Sequence, residues 1–250
     1  MIDDTFRQTG WQTLGHGAPV TRFQVFGERS SGTNFVKRLI GRNTALTPIE
    51  DLGWKHGFPH MTAVPQDVAV ICVTRNAVDW VGSMFTKPWH CTPAMQALPF
   101  DRFIRAEWDT IADRPRYFPQ IESIGGRGAP LQLDRHPLTG RRFANIFDLR
   151  RHKLEGLISF AERGCCVTYV RLEAAQAMPE TFLTDLRKGL GIPASDAPFR
   201  PVVKRLGARF KPSVPSRPGL PEAISTEDHA FMLTCLDRAL EAKLGYDYGS

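Results

Sequence analysis

Apolar residues run along this chain in short blocks separated by glycine, serine and proline. Residues 22–26 (RFQVF) form a compact apolar run of strand type. A polar segment, residues 27–33 (GERSSGT), follows at once. Residues 34–43 then place Phe35, Val36, Leu39 and Ile40 at helical spacing. Residues 68–74 (VAVICVT) are continuously apolar and rich in β-branched side chains, the pattern of a parallel strand covered on both faces. A helix is expected over 77–85. From 86 to 145 the periodicity fades, broken by Pro88, Pro93, Pro99, Pro115, Pro119, Pro130 and Pro137, and only 100–112 reads as helical. Residues 146–163 read as a long amphipathic helix ending at Gly164, and 165–171 (CCVTYVR) as a third strand. Residues 179–190 form another helix, stopped by Gly191 and Pro193. A basic, proline-rich connector over 198–221 leads to a last helix over 225–244, where Ser225 ahead of Glu227 suggests a capping box. Strands alternating with helices predict an α/β fold, a mainly parallel sheet flanked by helices. The length suits a single domain, with 86–145 as a loop-rich insert shaping an acceptor site.

Composition narrows the class. With 250 residues, 42% hydrophobic and 23% charged, the chain is a globular one rather than a fibre or a disordered tail. No apolar run approaches the roughly 18 residues of a membrane span, and the opening MIDDTFRQTGWQ lacks the form of a signal peptide, so a cytoplasmic location is expected. The five cysteines show no CxxC spacing, which points to reduced thiols, with Cys165 and Cys166 expected in the interior. A net charge of +6 fits an anionic ligand, a nucleic acid or a membrane surface without choosing between them.

The chemistry concentrates at residues 27–33. A glycine loop between a strand and a helix gathers backbone N–H groups and a helix N-terminus on one point, an arrangement suited to phosphate. Gly27 and Gly32 have the spacing of a nucleotide-binding loop, but Thr33 stands where lysine would follow. Arg29, Ser30, Ser31 and Thr33 offer donors in its place. The 68–74 strand ends in Arg75, where a magnesium-dependent nucleotide hydrolase would carry Asp. Ser83, eight residues on, is placed to face the same anion as Arg75 if the strand ends there and a helix carries the serine.

At this point the chain resembles a family. GERSSGTNF is similar to the 5′-phosphosulfate loop of sulfotransferases that use 3′-phosphoadenosine-5′-phosphosulfate (PAPS), and VTRNAVDWVGSM to their 3′-phosphate motif. WKHGFP resembles their Lys-x-His-x-x-Pro segment, and VTYVRLEAAQAMPETFLTDLRKGLGIP their later strand and helix. The resemblance covers roughly 22–88 and 165–193. It implies a P-loop-type fold and PAPS as co-substrate, with 3′-phosphoadenosine-5′-phosphate as product and no metal. Arg29, Ser30, Ser31, Gly32, Thr33, Asn34, Phe35, Arg75 and Ser83 then hold the nucleotide, His56 is the catalytic base, and Lys55 stabilises the leaving oxygen. The family's usual basic loop residue falls on Ser30, with Arg29 one place earlier. Its adenine-stacking Trp falls on Phe35, and its Tyr before the later Glu on Leu172. A glycine-rich basic motif has a loose counterpart in KRLGARFKPS, residues 204–213.

A histidine of near-neutral pKa suits removal of a hydroxyl proton, and His60 is the nearest competitor to His56. His16, His90, His136, His152 and His229 carry no comparable surroundings. DRHPLTGRR, residues 134–142, reads equally as an anionic-acceptor site or as a solvated basic loop. The expected acceptor is a small molecule, glycan or lipid, with phenol and peptide hydroxyls also open; no nucleic-acid partner and no transmembrane segment are expected. A P-loop kinase or hydrolase, a basic nucleic-acid binder and a sulfotransferase-like module that binds nucleotide without transfer remain the alternatives.

Overall fold

A run of six apolar residues closed by a threonine, Val68–Thr74, lies at the middle of a five-stranded sheet because its side chains are needed on both sides. In the computed structural model, which describes residues 2–15, 19–194, 197–203 and 209–249, the strands are β1 Trp11–Leu14, β2 Arg22–Gly27, β3 Thr47–Pro48, β4 Val68–Thr74 and β5 Val167–Arg171. Their order is β1-β5-β4-β2-β3. β2 pairs parallel with both β3 and β4, and β4 pairs parallel with β5. β1 runs antiparallel on β5, so the sheet is mixed, with a parallel majority.

Every residue of β4 is buried. Ala69, Ile71 and Val73 enter one hydrophobic cluster with Val36, Leu39 and Ile40 of helix Thr33–Asn43 and Phe182, Leu183, Leu186 and Leu190 of helix Pro179–Leu190. Val68, Val70 and Cys72 enter the opposite cluster with Leu154 and Leu157 of helix Ile146–Ile158 and with Phe160. Alternate side chains of one strand thus serve two cores, the layering of an α/β fold.

The sequence expectations for the elements hold unevenly. Val68–Thr74 and Pro179–Leu190 match residue for residue, and the strand at 22–26 extends to Gly27. β1 and the two-residue β3 carry no apolar run and went unpredicted. The helix expected over 100–112 covers only Phe100–Arg105, where Ala106 turns extended. The one over 146–163 is α-helical to Ile158 and 3₁₀ over Ser159–Glu162. The last helix is two, Thr226–Cys235 and Arg238–Lys243, because Leu236 adopts an extended backbone (φ −71°, ψ 138°). Ser225 does cap the first of these, its hydroxyl accepting from the Asp228 N–H at 3.0 Å. Cys165 and Cys166 are only half-buried, because they precede β5 rather than open it; all five cysteines are reduced thiols.

The described residues divide into two compact units. The first draws on 1–76, 153–208 and 238–250 and contains the sheet. The second draws on 77–152 and 209–237 and so takes in the stretch 86–145. Its interior packs Phe85 against Phe100 and Phe103, with ring centroids 5.4 and 5.3 Å apart. Arg217 fans its guanidinium over the end of helix Ala77–Thr86, donating to the carbonyls of Phe85 (2.6 Å) and Thr86 (3.1 Å). These are terminal helical carbonyls that lack intrahelical partners. No described helix is long and apolar enough to cross a membrane.

Candidate active site

The sheet order gives the first unit one natural ligand position. From β2 the chain passes to β3 on one side, then returns to β4 on the other. In open α/β sheets, the crevice at the carboxyl ends of strands beside such a reversal is where ligands bind. β2 ends there in Gly27, paired with Val73 of β4, and β4 ends one residue before Arg75. The glycine loop and Arg75, from two of the resemblance motifs, fall on this edge.

Loop 27–33 is built by two glycines for different reasons. A Cβ on Gly27 would lie 2.6 Å from the Val73 carbonyl oxygen and 2.6 Å from Ser31 Oγ, so the strand-to-loop corner has room for hydrogen only. Gly32 has φ +91° and forms the N-cap of helix Thr33–Asn43, where it supplies no side-chain acceptor. The first turn of that helix also lacks an acidic residue. Its leading N–H groups therefore keep the electropositive character that an anion would complement. Ser30 completes the turn in the left-handed region at φ 65°.

The loop side chains divide. Ser31 is buried, and its N–H (3.2 Å) and hydroxyl (2.7 Å) both donate to the Glu28 carbonyl, so it closes the loop instead of offering its hydroxyl outward. Arg29 is buried too, its guanidinium 5.8 Å from the centre of the Trp54 ring. Thr33 is buried and Asn34 exposed. Phe35 is half-buried and packs against the hydrophobic cluster under the helix. Leu172 fills the space beside Gly32, where a Cβ would come within 2.4 Å of its Cδ1.

Residues 54–58 fold back onto this loop. The Gly27 N–H donates to the Lys55 carbonyl at 3.0 Å, and the Gly27 carbonyl lies 2.7 Å from His56 Nδ1. A carbonyl only accepts, so Nδ1 carries the proton and Nε2 is the basic nitrogen of the neutral ring. Lys55 Nζ donates to Asn34 Oδ1 at 2.6 Å. Burial holds the Lys55 ammonium below the ordinary lysine value; Glu50 opposes that shift and Lys37 adds to it. Trp54 stands edge-on to His56, with centroids 5.4 Å apart. His60 is exposed.

Arg75 leans across the edge, Nη1 donating to the Ser30 carbonyl at 3.1 Å. The backbone behind it is pinned by Glu173, which follows β5 in the chain. Glu173 Oε1 accepts from the Asn76 N–H at 2.7 Å, and Oε2 accepts from the Tyr246 hydroxyl at 3.2 Å. Ser83 lies half-buried on helix Ala77–Thr86 in the second unit. Of the residues singled out by sequence, the first unit thus gathers the loop, Lys55, His56 and Arg75.

Four residues of this edge carried little or no sequence signal. Glu173 stands in the resemblance segment but had no assigned role. Tyr246 lies near the end of the chain, Trp54 opens WKHGFP without a role of its own there, and Lys153 sits in a basic run, RRHK, with nothing to set it apart.

In the second unit, the basic loop 134–142 is largely self-neutralised. Arg135 pairs with Asp109 at 3.4 Å, and Arg142 with Glu107 at 2.9 Å and Asp109 at 3.2 Å. Of KRLGARFKPS, residues 204–208 lie outside the described residues, as does His16. Phe210 meets Trp89 edge-on at 5.2 Å. His90 is buried with a left-handed backbone (φ 68°), and its Nδ1 lies 2.6 Å from Asp113 Oδ1. Among the described residues no cluster of three or more His, Cys, Asp or Glu has the form of a metal site. No protein-family model and no curated protein matches the chain.

Proposed function

We propose that this chain transfers a sulfuryl group from PAPS to an acceptor hydroxyl, using residues 27–33 as a P-loop-type cradle for the 5′-phosphosulfate. The observation that carries the reading is the 2.7 Å contact between His56 Nδ1 and the Gly27 carbonyl. It joins a candidate base to the first residue of an anion-binding loop and leaves Nε2 as the basic nitrogen. An isolated glycine turn has no need of such a partner.

In this reading the acceptor oxygen attacks sulfur in line with the bridging oxygen. A new S–O bond forms as the bridging S–O bond breaks. The hydroxyl proton passes to His56 Nε2, and the electron pair leaves on the phosphate of 3′-phosphoadenosine-5′-phosphate. Charge developing on the bridge is met by fixed donors: the leading N–H groups of helix Thr33–Asn43 ahead of Phe35, whose own N–H donates to Gly32, and the ammonium of Lys55 beside Asn34. Ser31 serves as a brace of the cradle through Glu28. Arg75 takes the 3′-phosphate, the role its motif has in the family the motifs resemble.

The test has two parts. Labelled PAPS, offered with panels of sugar, lipid, phenol and peptide hydroxyls, is expected to yield a labelled product identified by mass. By calorimetry without metal, 3′,5′-ADP is expected to bind roughly tenfold to a hundredfold tighter than 5′-AMP, since a charge-assisted hydrogen bond is worth about 1.5–3 kcal/mol. Equal affinities would remove the 3′-phosphate assignment. Stabilisation by ATP with magnesium but not by 3′,5′-ADP would instead favour a nucleotide kinase or hydrolase.

A further inference from the structure

We infer that Lys153 is a positioning residue that holds His56 through its backbone. The inference rests on the sulfuryl-transfer reading and extends it to a residue outside every motif that reading uses. Lys153 is 6% exposed, an unusual state for a lysine. Its Nζ donates to the His56 carbonyl oxygen at 2.8 Å. The ammonium sits 4.0 Å from the centre of the Phe58 ring and 5.8 Å from that of Trp54. Both rings belong to the segment that carries His56, and each offers a cation the negative face of its π system.

His56 is thereby restrained from two directions. Gly27 grips the segment ahead of it and the ring, through the Lys55 carbonyl and His56 Nδ1. Lys153, from helix Ile146–Ile158, grips the carbonyl behind it. A loop residue whose ring nitrogen must meet a proton in one orientation gains from such a restraint, because misplacement by about 1 Å lowers turnover by up to about a hundredfold. An ammonium is well suited to this position, since it donates to the carbonyl and also faces two aromatic rings. A methionine of similar length fills the same space without the bond.

The experiment uses the full chain with Lys153→Met and Lys153→Arg. Nitrogen-15 NMR of the His56 ring reads its tautomer without any turnover, and transfer from labelled PAPS reads kcat and KM. Wild type is expected to show the Nδ1–H tautomer of His56. Lys153→Met is expected to show a mixture of tautomers and a kcat lower by about tenfold to a hundredfold, with 3′,5′-ADP affinity changed less than about twofold. Lys153→Arg, which keeps a donor and a charge, is expected to recover most of both. A Lys153→Met chain with the wild-type ring spectrum and wild-type kcat overturns the inference while transfer stands. If wild type transfers nothing to any acceptor, the functional reading falls, and the ring spectra alone decide whether Lys153 positions His56. Should Lys153→Met fail to fold, Phe58→Leu, which removes the nearer aromatic face, carries the same two readouts with the same expected directions.

Discussion

His56 and Gly27 meet at one hydrogen bond, and each supports a separate expectation. Replacing His56 with Ala removes the proposed base and leaves the loop's backbone donors in place. Turnover is expected to fall by a factor on the order of 10²–10⁴, with 3′,5′-ADP affinity nearly unchanged. Single-turnover rates check this, with His60→Ala as a mild control because His60 is exposed. Gly27→Ala drives a methyl group to 2.6 Å from the Val73 carbonyl, and a strand backbone cannot move aside cheaply. Overpacking of this kind costs about 1–3 kcal/mol, read as a lower urea midpoint. Gly41→Ala is the opposite case. That glycine lies in helix Thr33–Asn43 with its nearest neighbours 3.9 Å or more from an added Cβ, so the same change is expected to stabilise by about 0.5–1 kcal/mol.

The elements show where local signals suffice and where they fail. Ser225 carries its own reason for starting a helix, and its hydroxyl makes the expected bond. Ser225→Ala is expected to lose about 0.5–2 kcal/mol in thermal or urea unfolding, with transfer activity retained. The end of that helix was not legible. Residues 225–244 keep a helical pattern across Leu236, yet the backbone there is extended and the helix stops at Cys235. The basic run 150–153 is a second case. As letters it is one charged stripe, yet Arg150 and Lys153 are buried while Arg151 pairs with Asp148 at 2.9 Å. Charge along a helix does not say which side its neighbours cover.

At the scale of the whole molecule, carboxylates dominate the expected response to acid. Hydrogen bonds from Arg22 and Thr21 hold Asp67 far below the ordinary aspartate value, and Lys37 lowers Glu50. Burial raises Asp113 and Asp148, but hydrogen bonds outweigh it: His90 on Asp113, and the Ala144 N–H with Arg151 on Asp148, leave both lowered overall. A carboxyl depressed by folding adds stability that is fully present above its unfolded value, near 4, and is lost as pH falls through the folded value. Melting temperature is therefore expected to stay level from about pH 7 to about pH 5 and to drop below about pH 4. Asp67→Asn should make that drop shallower; an unchanged acid limb would remove Asp67 from the account.

The sequence by itself determined the parts whose physics is local. β4 was legible because a strand buried on both faces needs an unbroken apolar run, and the helix after the glycine loop because its apolar residues recur at helical spacing. The loop 27–33, Arg75 and His56 were legible as residue types suited to anions and proton transfer. Tertiary structure alone decided which of them meet. β1 and β3 are edge strands whose pairing comes from the neighbouring strand, so no periodicity announces them. Ser31 turned to Glu28, Arg29 lay down over Trp54, and Lys153 reached the His56 carbonyl across 97 positions of chain. Such contacts depend on how distant segments stack, and no spacing along the chain records that. His56 was readable as a candidate base from its residue type and its motif; which ring nitrogen faces a carbonyl was set by Gly27 at the end of a strand 29 residues away.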